Sequence, residues 1–333
     1  MSGAFELRTL GLVGCVLILL GDATAMVQVL RTRPDSGLNA AILETFRLRV
    51  QAWWVLCSIL AAAFFIGQIA TVLLFGLMAF WALREFITLT PTRPGDHRTL
   101  FLVFFVMTPL QFVLVGMGSY GLFSIAIPVY AFLFIPALIA MSGDYKRFLE
   151  RSAKIQAGLL ICVYCLSYAP ALLTLELPNA PPGANTRLLF FLVLMVQLSA
   201  ALQYAWAQIP SRHVIVPTIN PTKTWEGLLG GTASVTLIGA ILWWATPFQG
   251  SSWWMAAAMS LVISLMGFAG GLVLSAIKRD RGVRDYGTLV EGHGGVLDRI
   301  DSICFSAPVF FHFTLYWLKM QHVVQAWDRL GNP

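Results

Sequence analysis

Apolar residues in this chain run almost unbroken for 15–25 positions at a time, with polar residues gathered in short intervals between the runs. Ten such stretches lie near 9–30, 50–66, 69–83, 99–115, 122–141, 155–173, 188–209, 227–247, 253–277 and 302–319. A helix of about 20 apolar residues crosses the hydrocarbon core of a bilayer, and a helix satisfies its own backbone hydrogen bonds there. The pattern therefore predicts an all-α fold, a polytopic transmembrane helical bundle of about ten spans with short loops. The second and third stretches form a tight pair. No internal repeat or long linker breaks the series, so the chain divides only coarsely. Helices of 1–175 come first, and a C-terminal region, 176–333, follows with the polar loops 210–226 and 278–301.

Composition sharpens this picture. Of 333 residues 58% are apolar and 11% charged, with a mean hydropathy of +0.75. A soluble domain carries about 25% charged residues, so soluble, disordered and collagen-like classes are excluded. The net charge of +6 would suggest nucleic acid in a soluble protein, but here its placement has another meaning. Eighteen of the 22 Lys and Arg fall in the intervals 31–49, 84–98, 142–154, 210–226 and 278–301, alternate loops of a ten-span chain. That asymmetry is the positive-inside pattern; it puts those loops in the cytoplasm and leaves no role for nucleic acid as a partner. Tryptophans 53, 54, 243, 244, 253 and 254 fall near span ends, where interfacial aromatics collect. Cys162 and Cys165 form a CxxC inside an apolar run and read as packing residues. Asp22, within the first run, reads as facing a polar bundle interior near a span end. No cleavable signal peptide is expected.

Two loops carry more chemistry than topology needs. The first is Asn220-Pro221-Thr222-Lys223-Thr224-Trp225-Glu226-Gly227, leading into an apolar span. Asn followed by Pro predicts a helix N-cap and first helical position at 220–221. A helix start offers free N–H groups and a positive dipole end to a phosphate, and Lys223 and Thr224 add an ammonium and a hydroxyl. The second loop, 278–301, holds ten charged residues, five of each sign. Asp298 and Asp301 are three apart at an expected helix start, so both project from one side and suit a hard cation such as Mg²⁺. His293 lies among glycines, and Lys278, Arg279 and Arg284 can neutralise phosphate oxygens. Together the loops describe a membrane-embedded site for a phosphorylated substrate and a metal–triphosphate. No Walker A sequence is present, nor a Ser–His–Asp or Cys–His pairing.

The run Ser275-Ala276-Ile277-Lys278-Arg279, then Arg284-Asp285-Tyr286-Gly287, then His293-Gly294-Gly295-Val296-Leu297-Asp298-Arg299-Ile300-Asp301 resembles the signature of the phosphatidate cytidylyltransferases, or CDP-diacylglycerol synthases. The element at 220–227 looks like that family's Ser-Pro-x-Lys-Thr-x-Glu-Gly. The resemblance covers roughly 190–310. It implies an enzyme of the inner bacterial membrane that makes CDP-diacylglycerol and pyrophosphate from CTP and phosphatidic acid with Mg²⁺, its active loops cytoplasmic. It further implies Asp298 and Asp301 as metal ligands, and Lys223, Lys278, Arg279, Arg284, Asp285 and His293 as the catalytic set. Asn220, Thr224, Glu226, Gly294, Gly295, Arg299 and Tyr204 would shape the nucleotide or substrate pocket. A homodimer is a further expected partner arrangement.

Four positions depart from the pattern. Asn220 replaces Ser, Arg284 replaces Lys, and Glu291 replaces Pro or a small residue. Ala200 stands where the family generally has an Asp, four residues before Tyr204. Two alternatives are a CTP-dependent lipid transferase or kinase with another acceptor, and a catalytically weak homologue serving as a scaffold.

Overall fold

A computed structural model describes residues 65–89, 92–177, 183–209, 213–246, 253–287 and 294–331, the side chains as far as 320, together with scattered positions between 11 and 63. The first two apolar stretches are described only at scattered positions, and His293 and Glu291 lie outside the described residues. Seven helices among the described residues are long and apolar enough to cross a bilayer. We label α1 Gln68–Thr88, α2 Pro94–Gly116, α3 Tyr120–Met141, α4 Phe148–Thr174, α5 Ala184–Trp206, α6 Trp225–Ile241 and α7 Trp253–Asp280. An eighth, α8 Leu297–Gly331, is longer but more polar. A two-stranded antiparallel ribbon, β1 Val214–Val216 and β2 Asn220–Thr224, connects α5 to α6.

The helical membrane bundle read from the apolar runs is thus what the chain forms. Its exterior explains its composition. Leu73, Leu77, Phe101, Phe105, Leu133, Phe134, Leu229 and Leu237 are exposed on helix faces, an arrangement a bilayer stabilises and water would not. The protein is an integral membrane protein. Inside, Phe75, Leu83, Ile139, Leu166, Phe191 and Phe310 are fully enclosed. Helices α5 to α8 pack as neighbours, and α8 also runs against α4 and α1, joining the two halves of the chain. Cys162 is buried in this core and Cys165 half-buried, both as free thiols. Short π-helical turns interrupt α2 at 103–107, α3 at 126–131 and α4 at 159–165. Pro109 follows the first and Pro128 lies within the second, where a missing N–H breaks the helical ladder. The Thr108 hydroxyl donates to the Val103 carbonyl at 2.8 Å and takes up an acceptor there.

The helices run longer than the apolar stretches. The stretch 69–83 becomes a helix to Thr88, so Arg84 and Glu85 belong to α1 and not to the following loop. Contacts between distant loops show which helix ends share a side. The Arg279 Nε–H donates to the Ile219 carbonyl at 3.1 Å, and Glu85 reaches the backbone at 296–297. The buried Arg151 guanidinium pairs with Asp96 and bonds the Asp144 and Lys146 carbonyls, while Arg93 Nε meets Asp144 at 2.5 Å. The described loop residues 92–96, 142–147, 213–224, 281–287 and 294–296 therefore lie at one end of the bundle. Thr218→Cys and Asp280→Cys are expected to react with an impermeant maleimide from the same side of sealed vesicles, and Met117→Cys, at the α2–α3 turn, from the other. Labelling of the first two from opposite sides would contradict this arrangement.

Candidate functional site

The segment Asn220–Thr224 is not the start of a helix. It is an extended strand pairing with 214–216 in the register Val214↔Thr224 and Val216↔Asn220. The reason is local. A residue before proline is pushed toward extended backbone, and Thr222 and Thr224 are β-branched. Asn220 acts as an Asx turn, its Oδ1 accepting from the Thr222 amide at 3.1 Å and hydroxyl at 2.7 Å, while its Nδ2 donates to Ser275 Oγ at 3.0 Å. The N-cap falls four residues later than the sequence suggested. Buried Thr224 Oγ1 accepts the Gly227 N–H at 3.0 Å and opens α6. Glu226 holds the ribbon to this helix start: its carboxylate accepts the His213 N–H at 3.0 Å and lies 2.6 Å from His213 Nδ1.

The expected ammonium is nevertheless where a phosphate could meet it. Lys223 Nζ lies 4.8 Å from the centre of the Phe268 ring. A Cβ on Gly271 would be 3.5 Å from both Lys223 Nζ and Asp301 Oδ2, so cation and carboxylate converge over this glycine of α7. Burial holds the Lys223 ammonium below the ordinary lysine pKa, and the Asp301 charge works against that shift. Beside Lys223 opens a cavity of about 130 Å³, lined by Ala200, Gln203, Tyr204, Thr224, Gly227 and Phe268, among others. Ala200 adds only a methyl group to this wall. Beneath it, Gln203 Nε2 donates to Ser199 Oγ at 2.9 Å, and Ser264 Oγ lies 2.7 Å from Ser199 Oγ and 2.9 Å from Thr232 Oγ1. This buried hydroxyl and amide cluster ties α5, α6 and α7 together below the cavity.

The second loop closes the other side. Asp298, in the first turn of α8, accepts from Lys278 Nζ at 2.8 Å through Oδ1 and from the Tyr286 and Gly295 amides at 2.9 Å each through Oδ2. Gly294 has φ +79°, and a Cβ there would lie 2.6 Å from Asp298 Oδ2. Asp301 Oδ1 accepts from the Ser302 hydroxyl at 3.0 Å. Arg279 is engaged with backbone carbonyls, Arg284 and Asp285 are exposed on the loop, and Arg299 is half-buried in the first turn of α8. Lys223, Asp301, Lys278 and Asp298 are thus brought to one end of α7 and α8. Glu85 was not legible as part of this region: from α1 its Oε1 accepts the Val296 N–H at 2.9 Å and its Oε2 the Leu297 N–H at 2.8 Å. The available signal was negative, since Gly294-Gly295-Val296 offers no capping side chain ahead of α8.

The donor set fits a hard divalent cation. Among the described residues Asp301 Oδ2 accepts no hydrogen bond, and Asp298 Oδ1 accepts only from Lys278. No group of three or more His, Cys, Asp or Glu converges among the described residues. Two carboxylates completed by substrate phosphates and water are a typical Mg²⁺ arrangement.

Fold and site together define a membrane-embedded protein that gathers two lysines and two aspartates beside a cavity at one end of its bundle. The cytidylyltransferase family matches residues 47–317, most of the chain. A protein of Escherichia coli strain K12 named uncharacterized protein YnbB is 36% identical over 273 residues, 81% of this chain and 87% of that protein. The phosphatidate cytidylyltransferase of Mycobacterium leprae strain TN is 33% identical over 147 residues, 44% of this chain and 46% of that one. The phosphatidate cytidylyltransferase of Staphylococcus aureus strain COL is 28% identical over 212 residues, 61% of this chain and 80% of that one. The chain belongs to the cytidylyltransferase family. It is a membrane nucleotidyltransferase, and the family implies CTP as nucleotide and a lipid as the other substrate.

Proposed function

We propose that the protein is a CTP:phosphatidate cytidylyltransferase that forms CDP-diacylglycerol and pyrophosphate, its loops facing the cytoplasm from the bacterial inner membrane. The observation that carries this reading is the convergence of Lys223 and Asp301 over Gly271, next to the cavity at the α6 helix start. A phosphatidate oxygen attacks the α-phosphorus of CTP, the bond to the β-phosphate oxygen breaks, and pyrophosphate leaves with that electron pair. In this reading Lys223 and the capped N-terminus of α6 hold phosphate oxygens in place, and their positive charge favours the pentavalent transition state. Lys278, released from Asp298 when substrate enters, adds a second ammonium, with Arg284 at the loop surface. Tyr204 and Thr224 border the pocket, and Gly294 and Gly295 let the loop approach closely. Asp298 and Asp301 would hold Mg²⁺, which would supply Lewis-acid stabilisation of the charge passing to pyrophosphate. No covalent enzyme intermediate is needed.

Pyrophosphate release by the purified protein in detergent, with CTP and phosphatidic acid, tests this directly. Turnover that requires both substrates and Mg²⁺ is expected. Turnover with another lipid phosphate and none with phosphatidic acid would reassign the acceptor. No turnover with any lipid would overturn the reading.

A further inference from the structure

Helix α8 carries both carboxylates of the site in its first two turns, yet the residues just before it supply no capping side chain. The residues before Leu297 are two glycines and a valine, none with a side-chain acceptor. The amides of Val296 and Leu297 are satisfied from α1, by a Glu85 carboxylate that is only 6% exposed and stands 211 and 212 positions away in the chain. Gly295 is pressed between this carboxylate and that of Asp298. A Cβ on Gly295 would fall 2.2 Å from Glu85 Oε2, and one on Gly287 2.8 Å from Glu85 Oε1. Gly295 in turn gives its N–H to Asp298 Oδ2. The chain of contacts therefore runs Glu85, the 294–297 backbone, Asp298.

We propose that Glu85 is a positioning residue for the cytidylyl-transfer site: from the N-terminal half of the chain it fixes the 294–297 backbone, and through it the direction of the Asp298 carboxylate. Both oxygens of Glu85 accept from adjacent backbone amides, so the carboxylate is charge-complementary to the positive end of α8. A glutamine keeps the volume but turns an NH₂ toward one of the two N–H groups. That amide is then repelled, and the turn presenting Asp298 shifts. The proposal rests on the reading of the site as a cytidylyltransferase centre that uses Mg²⁺.

The test compares native protein, Glu85→Gln and Glu85→Asp in detergent, each first shown to elute as folded protein. Hydrogen–deuterium exchange of peptides covering 294–300 is measured with and without Mg²⁺ and CTP, and half-saturating Mg²⁺ is measured by pyrophosphate release. In Glu85→Gln, exchange at 294–297 is expected to rise at least about tenfold while α7 peptides are unchanged, and half-saturating Mg²⁺ to rise by a similar factor more than the CTP requirement. Glu85→Asp, which keeps the charge with a shorter reach, is expected to fall between. Native exchange at 294–297 in Glu85→Gln, or a lowered melting temperature with unchanged half-saturating Mg²⁺, would overturn the positioning role. If native protein shows no turnover with any lipid, the reaction reading fails; the exchange data alone then decide whether Glu85 holds the α8 start.

Discussion

Asp301→Asn is expected to lower cytidylyl transfer by about 10³-fold or more, since each 1.36 kcal/mol of lost transition-state stabilisation is about tenfold and a held cation supplies several kcal/mol. The substitution is nearly isosteric. The amide oxygen can keep the bonds from the Ser302 amide and hydroxyl, so the first turn of α8 should persist. What disappears is the charge at Oδ2, the carboxylate oxygen that shares the space over Gly271 with Lys223 Nζ. On the proposed reaction the variant loses a ligand for a divalent cation, and it leaves a partly desolvated ammonium without a nearby counter-charge. Pyrophosphate release by variant protein that elutes as native protein does is the measurement. Near-native turnover at saturating Mg²⁺ would reduce the carboxylate to a helix-end element.

Gly295→Ala is expected to destabilise the protein by about 1–3 kcal/mol and to cut turnover of the surviving folded fraction at least about tenfold. A methyl group at this position has no free space. It would meet Glu85 Oε2 at 2.2 Å and Glu85 Cδ at 2.5 Å. Either Glu85 withdraws and leaves the half-buried Val296 and buried Leu297 amides without acceptors, or the backbone moves and takes its N–H away from Asp298. Thermal unfolding in detergent and turnover per folded molecule separate the two losses. A native melting temperature with native turnover would show that this loop has slack that the contacts deny.

Much of the architecture was legible because a bilayer imposes a length and an apolarity that no other environment demands. The runs at 69–83, 99–115, 122–141, 155–173, 188–209, 227–247 and 253–277 each fall within or across an observed apolar helix. Their ends were less legible, since α1 and α7 continue through charged residues to Thr88 and Asp280. In those extra turns charged side chains take over, and apolarity no longer marks the helix. In the site, Lys223, Lys278, Asp298 and Asp301 could be picked out because mixed charge is rare in such a chain, and the structure gathers them. The start at Asn220 was misplaced because five residues of strand depend on pairing with 214–216, which no helix rule contains. Glu226 and Asn220 hold backbone and ribbon, a use that motif chemistry does not distinguish from ligand binding. Glu85 was invisible because its partners are distant in the chain, and only packing of α1 against α8 brings them together.

The cavity beside Lys223 begins where α6 does, and the same helix carries Trp225 and Leu229 on its exposed side, 51% and 65% accessible. In the proposed reading that exposed apolar side faces lipid, and the cavity mouth one turn away opens at the level of the headgroups. On the proposed reaction, a lipid phosphate enters there without its acyl chains ever leaving the leaflet. Encounter is then a search in two dimensions. The quantity that sets saturation is the mole fraction of substrate lipid in the leaflet, while the nucleotide obeys ordinary bulk concentration, and diluting the lipid with inert neighbours slows the enzyme even when the total lipid supplied is unchanged.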